Sequence, residues 1–320
     1  MQSFQAIVQD DFKKVNQLII NRLESNVDLV ENIGQYLIEA GGKRLRPTLV
    51  MLCAGALNHK SDAILSMAAI IEFIHTATLL HDDVVDVSEL RRGRPTANAK
   101  WGNAPSVLVG DFIYSRAFQM MVELNSLPIM GEMASTTNTI SEGEVQQLVN
   151  ANNPTINEAQ YLDVIHKKTA ILFEAACETS AILSGATPEQ AKALRTYAYH
   201  LGVTFQLMDD VLDYEGDSET LGKNIGDDLG EGKPTLPLIY AMAHAKESDA
   251  SIIRQAIENG DDSALTDVIR IVQASGGIDY TKQCAQKHID SAIQSLNALD
   301  HNDYIQAMKD LAHFSLGRTS

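Results

Sequence analysis

Cysteine is scarce in this chain: Cys53, Cys177 and Cys284 are the only three in 320 residues. Their odd number and wide spacing exclude a disulfide framework or a zinc ligand set, and point to buried, reduced thiols in a cytosolic protein. Basic residues are also few, 25 Lys and Arg against 42 Asp and Glu, for a formal net charge of −17. That balance argues against a nucleic-acid backbone or an anionic membrane surface as partner. It leaves small anionic ligands open, because local metal ions or Arg/Lys clusters override the mean. The start, Met1-Gln2-Ser3-Phe4-Gln5, lacks the basic and apolar regions of a secretory signal. No apolar run approaches the roughly 18–20 residues that span a bilayer, so no transmembrane segment is expected. Low-complexity linkers and short repeats are missing too, and one domain over residues 1–320 is the economical expectation.

What is present is helix. A hydrophobic share of 45% supports a sizeable core. Nearly every segment reads with a period near 3.6, and no run of strict alternation stands out. The pattern predicts an all-α fold. Its helices lie near 4–19, 29–40, 47–57, 63–85, 105–124, 127–150, 157–166, 167–184 and 188–212. Shorter ones follow near 235–245, 248–259, 262–275, 277–298 and 301–314. Residues 88–104 and 214–236 read as polar loops. The helices that are apolar around most of their circumference, 63–80 and 198–212, are expected at the centre.

Two of these helices end in the same pattern. Asp82-Asp83-Val84-Val85-Asp86 closes the first, and Asp209-Asp210-Val211-Leu212-Asp213 the second. In each, the first and last aspartates are four apart and share a helix face. Neighbouring anions on one face need a cation, and such oxygen pairs suit Mg²⁺, which takes one or two carboxylates together with substrate phosphates. A solvated acidic helix end is the plainer reading of either box alone. Arg91-Arg92-Gly93-Arg94 just after the first box shifts the balance toward a diphosphate site, since guanidinium forks match phosphate oxygens.

With its other motifs the chain resembles the trans-prenyltransferases, the polyprenyl diphosphate synthases of the isoprenoid synthase fold, and their long-chain bacterial branch in particular. The matching stretches are Gly41-Gly42-Lys43-Arg44-Leu45-Arg46-Pro47, the first box with Arg91-Arg92-Gly93, Gly110-Asp111 and Lys167-Lys168-Thr169. Phe205-Gln206 with the second box, Gly222-Lys223, and Gly226-Asp227-Asp228 through Gly232-Lys233-Pro234-Thr235-Leu236-Pro237 complete the set. They run in the family's order over about residues 41–237.

The resemblance implies a homodimeric, Mg²⁺-dependent enzyme with three Mg²⁺ per active site when substrate is bound. It would join isopentenyl diphosphate to an allylic diphosphate primer, farnesyl diphosphate first among candidates. The primer ionises to an allylic cation and diphosphate, the isopentenyl double bond attacks, and the released diphosphate can take the proton, so no side-chain base is needed. On this pattern Asp82, Asp86 and Asp209 ligate metal, with Asp213 acting through water. Asp83 and Asp210 point elsewhere and support their neighbours. Arg91, Lys168, Lys223 and Lys233 hold the allylic diphosphate. Lys168 and Lys233 alone would be ordinary surface lysines. Thr169 and Gln206 turn oxygen dipoles to the cation. Lys43, Arg46, His75 and Arg92 bind the isopentenyl diphosphate, and Arg318 near the C-terminus is a further candidate for a diphosphate. His75 by itself would be a core histidine, and His81 is left as one.

Family members that stop at short products carry an aromatic four or five residues before the first box. Thr78 and Ala77 stand there in this chain, so the lane about 6–7.5 Å from the metals is open. A product near C40, the precursor of a quinone side chain, is expected. Met120, Met121 and Met133 are candidates for the floor that ends elongation, though methionine is also ordinary core filler. Three other readings compete. A non-catalytic subunit of a prenyl synthase heteromer would have lost a box. A class I terpene cyclase would carry one DDxxD and an Asn/Ser-containing second motif. A metal-dependent phosphohydrolase, hinted at by His81-Asp82, would need more histidines.

Overall fold

The computed structural model describes residues 2–39, 41–215 and 225–318. Lys223 lies outside them. About 81% of the chain is helical, as the 3.6-residue period predicts. The helices gather into two compact units.

The first unit comprises Met1–Thr137, Leu172–Ala198 and Ile293–Leu311. Its hub is α4 (Asp62–Val85), which packs against α1 (Gln9–Arg22), α3 (Leu45–Ala56) and, most extensively, α6 (Asn103–Glu123). The buried residues of α4, among them Met67, Ile70, Ile71, Phe73, Ile74 and Leu80, surround its axis. Each such side chain contributes up to about 1.5–3 kcal/mol on leaving water. This burial explains a departure from the sequence reading. By length and composition α4 does reach what a membrane span requires, but 61% of its most apolar stretch is buried inside the protein.

The second unit comprises Asn138–Ile171, Tyr199–Ala292 and Ala312–Ser320. Its core joins Leu207, Met208 and Val211 of α10 (Pro188–Glu215) to Ile253, Ile257, Val268 and Ile271 of the later helices. The central place expected for residues 198–212 is therefore seen, with Leu201 and Val203 also fully buried.

Besides a short helix at Asp227–Gly230 inside the predicted 214–236 loop, three local features depart from the predicted boundaries, and each bears on the site. Residues 88–104 are not a plain loop. They hold a hairpin of β1 (Leu90–Arg91) and β2 (Arg94–Pro95), then α5 (Ala97–Trp101). Strands of two residues carry no alternation to read. The turn is legible in hindsight, because Arg92 and Gly93 both have positive φ, 56° and 72°. A two-residue hairpin turn with right-handed strand twist needs this pair of conformations. The second departure is at α3, which begins at Leu45 rather than Pro47. Proline sits in its first turn, where backbone N–H groups have no helical partner to lose. Third, the break predicted between residues 166 and 167 is a π-helical turn, His166–Ala170. It joins α8 (Glu158–Ile165) to α9 (Ile171–Ser184) without interruption.

Candidate active site

In the first unit, α4 delivers the first box at its C-terminal end. Asp82 and Asp86 are half-exposed, whereas Asp83 is 3% exposed. Asp83 Oδ1 accepts from Arg91 Nε at 2.8 Å and lies 2.6 Å from a terminal nitrogen of the same guanidinium. Burial works against the charge on Arg91, but Asp83, and behind it Asp82 and Asp86, hold it more firmly protonated than usual. The hairpin is fastened to the box. Asn98 Nδ2 donates to the backbone carbonyls of Asp83 and Ser88, both at 3.0 Å, and Thr96 Oγ1 donates to Ser88 O at 2.6 Å. Arg91 and Arg92 thus project from a tied-down turn.

Arg92 donates to the carbonyl of Gly41. Its guanidinium also fills the space a Cβ on Gly42 would need, and Gly42 has φ +133°. The paired glycines therefore serve a close approach as well as a helix stop. Burial, helped by neighbouring Arg91 and Arg44, lowers the Arg92 pKa.

His75 lies two turns up α4 from the box. Arg46 NH1 is 3.2 Å from its Nε2. A guanidinium only donates, so Nε2 must be the acceptor and the ring proton sits on Nδ1. Burial, then Arg46, Arg92 and Arg91, hold His75 well below the ordinary histidine value, so it is neutral. Arg46 also stacks over Phe173, 4.4 Å from the ring centre. One pocket collects His75, Arg91 and Arg92 with Gly41, Arg44, Glu72 and Arg94. Lys43 and Arg46 do not line it. Lys43 is half-buried, and its carbonyl accepts from Gln5. Arg44 was missed from sequence. It is in the left-handed region with φ 43° and pairs at 3.5 Å with nearly buried Glu72. A glutamate inside an apolar helix was the available signal, since such a group is rarely buried without a partner.

The second box, in the second unit, is wired differently. Asp209 carries the Arg318 guanidinium at 2.9 Å, and Arg318 also lies 3.9 Å from the Phe205 ring centre. Asp210 is 1% exposed. It accepts from Tyr161 Oη at 2.5 Å and from Gln206 Nε2 at 2.9 Å. Burial, then Asp228, and also Asp209, push its pKa up, against the pull of those two donors. Asp213 is fully buried, and its Oδ2 accepts from the Asp228 backbone N–H at 3.4 Å, at the start of α11 (Asp227–Gly230).

The π turn presents Lys168 and Thr169. Lys168 Nζ is 2.7 Å from Glu144 on α7 (Leu127–Asn150), and Thr169 Oγ1 donates to Gln206 Oε1 at 3.0 Å. A Cβ on Gly143 would strike the backbone at Lys167 and Lys168, so glycine there lets α7 approach the turn. Lys233 pairs with Glu231. His81 contacts Val107 O at 3.3 Å and Asp111 at 3.4 Å, and it occupies the space beside Gly110. That gives the Gly110-Asp111 motif a packing role.

Among the described residues no three or more His, Cys, Asp or Glu gather as a ready metal cage. The donor chemistry still fits Mg²⁺, which needs only one or two carboxylates when phosphate and water complete its shell. Asp82 and Asp86 are such a pair, and Asp209 already binds a cation in Arg318. In the first unit Ala77, Met120, Met121 and Met133 are at most 1% exposed. Thr78 is half-buried and donates its hydroxyl to His75 O at 2.8 Å. It can therefore offer its methyl to an apolar neighbour.

The polyprenyl synthetase family model matches residues 27–274. The chain is 49% identical over 319 residues to octaprenyl diphosphate synthase of Escherichia coli (strain K12), covering 99% of both. It is 47% identical to the geranyl-diphosphate-specific all-trans-nonaprenyl-diphosphate synthase of Rhodobacter capsulatus, over 99% of this chain and 98% of that one. A polyprenyl synthase from Caulobacter crescentus, solved in complex with calcium and isoprenyl diphosphate, superposes with a TM-score of 0.96. It is 42% identical and covers 99% of this chain and 97% of its own.

Proposed function

Because the chain belongs to the polyprenyl synthetase family, we propose that it extends an allylic diphosphate with successive isopentenyl diphosphate units to an all-trans product near C40. It is a prenyltransferase of the long-chain class. In our reading it acts as one catalytic domain and a cytoplasmic homodimer. Farnesyl diphosphate is the primer, and the product becomes a quinone side chain. The observation that carries the product length is the pair Thr78 and Ala77 before the first box, in a chain alike over its full length to octaprenyl and nonaprenyl synthases.

Asp82, Asp86 and Asp209, with Asp213 through water, would hold Mg²⁺, which would supply positive charge to the leaving diphosphate. Arg91, Lys168, Lys223 and Lys233 bind that diphosphate. Arg91 is pre-charged and aimed by Asp83, so its orientation costs little on binding. Arg92, Arg46, Lys43 and neutral His75 receive the isopentenyl diphosphate, with His75 able to donate through Nδ1–H. Thr169 and Gln206 set oxygen lone pairs toward the allylic cation, and their network holds them before charge develops. The tail runs along α4 past Thr78 and Ala77 toward Met120, Met121 and Met133. On α6, Leu108 and Val122 are 66% and 63% exposed, and they are the proposed dimer contact.

Mixing the protein with Mg²⁺, labelled isopentenyl diphosphate and farnesyl diphosphate tests this reading. Long labelled diphosphates support it. Cyclised hydrocarbon, or phosphate release without extension, overturns it.

A further inference from the structure

We infer that Tyr161 is a positioning residue for the allylic cation, acting through Asp210 on the Gln206 carboxamide and so on Thr169. The inference rests on the proposed role of Gln206 and Thr169. Four side chains form one unbroken chain. Tyr161 Oη donates to Asp210 Oδ2 at 2.5 Å, Gln206 Nε2 donates to Asp210 Oδ1 at 2.9 Å, and Thr169 Oγ1 donates to Gln206 Oε1 at 3.0 Å.

The amide turns its NH₂ to Asp210 and its oxygen to Thr169. With that choice made, the Thr169 proton is committed to Oε1. The lone pairs left on Oγ1 and Oε1 are the free polar ends of the chain. Tyr161, Asp210 and Thr169 are 6%, 1% and 8% exposed, so water offers little competition. If Tyr161 lost its hydroxyl, Asp210 would lack one of its two side-chain donors and would hold the amide less firmly.

The backbone is shaped for this arrangement. On a straight α-helix, eight residues advance about 800°, which would leave Thr169 about 80° away from the face of Tyr161. A π turn takes back up to about 100°, the share of one residue, and so turns the two toward one face. Such a turn runs through His166–Ala170 and contains Thr169. Gln206 and Asp210, one turn apart on α10, are then met by two side chains from one face.

A double-mutant cycle tests the inference. Wild type, Tyr161→Phe, Gln206→Ala and the double variant are compared at saturating Mg²⁺ in single turnovers of farnesyl diphosphate with isopentenyl diphosphate. Tyr161→Phe is expected to lower the turnover rate about tenfold, with KM for both substrates within twofold of wild type. In the Gln206→Ala background the same change is expected to alter the rate less than twofold. An equal loss in both backgrounds, or no loss in either, overturns the inference. If Tyr161→Phe does not fold, the isosteric Asp210→Asn takes its place in the cycle with the same criteria. Chain extension by wild type in the same assay reports separately on the parent reading.

Discussion

The two aspartate boxes are spelled almost alike and wired differently. At the first, the middle carboxylate, Asp83, is locked to a guanidinium that projects from the hairpin, while Asp82 and Asp86 remain half-exposed. At the second, the middle carboxylate, Asp210, takes neutral donors from Tyr161 and Gln206, while Asp209 is already neutralised by Arg318. In our reading the middle aspartate of each box is a strut. One strut aims a cation at the diphosphate and the other aims dipoles at the carbocation. What lies one turn upstream differs in the same sense. Thr78 stands before the first box and leaves room for a tail, whereas Phe205 stands before the second and is covered by Arg318.

The largest expected effects do not separate the boxes and so mark the limit of the comparison. Asp82→Ala and Asp209→Ala should each reduce kcat/KM by about 10³-fold, ~4 kcal/mol of transition-state stabilisation. Steady-state kinetics at saturating Mg²⁺ checks this, and a loss below tenfold for either removes that residue from the metal set. The struts come next and should split apart. Asp83→Asn should raise the KM for the allylic substrate roughly tenfold with a smaller change in kcat, because it frees Arg91. Asp210→Asn should lower kcat and leave that KM alone. Identical kinetic signatures would mean that the two struts do the same job.

A smaller effect is expected where the resident cation is removed. Arg318→Ala should tighten Mg²⁺ binding about threefold to fivefold, which converts to ~1 kcal/mol for the lost competitor. Calorimetry with Mg²⁺ and inorganic diphosphate reads it, and weaker binding would make Arg318 a helper of the metal site instead.

The smallest effect concerns the histidines upstream of the boxes. His200 of α10 contacts His288, with Nδ1 atoms 2.9 Å apart. Burial, then His200, pulls His288 down to about 4, and burial lowers His200. Folded values below the ordinary 6.5 favour the neutral forms in the native state. Their contribution to stability is therefore complete above pH about 6.5 and is lost as pH falls toward 4. The melting temperature should drop by a few degrees over that interval, and His200→Asn/His288→Asn should flatten the profile. An unchanged slope would assign acid sensitivity elsewhere, with His75 of α4 as the next candidate.

Much of this arrangement could be read from the chain. The hydrophobic period marked α4 and α10 as central, and the spacing within each box put its outer aspartates on one face. What stayed hidden depends on partners distant in sequence. Nothing local to Tyr161 announces Asp210, 49 residues on. Arg44 and Glu72 look like a surface charge and a helix polarity until they are seen together. The hairpin was missed because its strands are too short to alternate, and only Arg92-Gly93 signalled the turn. The π turn reads as a break in the sequence, because one extra residue disturbs a period of 3.6 much as a new helix does. The roles of both struts rest on these hidden contacts, so sequence placed the boxes and left their difference unseen.

The most direct test of the central claim, long-chain synthesis with the tail on the α4 side, is the product-length distribution of wild type and Thr78→Phe by mass spectrometry. Both are run with farnesyl diphosphate and excess isopentenyl diphosphate. Wild type should end near C40, and the aromatic side chain one turn before Asp82 should stop elongation at C15–C20 without abolishing turnover. A wild-type product that is already short, or a variant that still reaches C40, would contradict the claim.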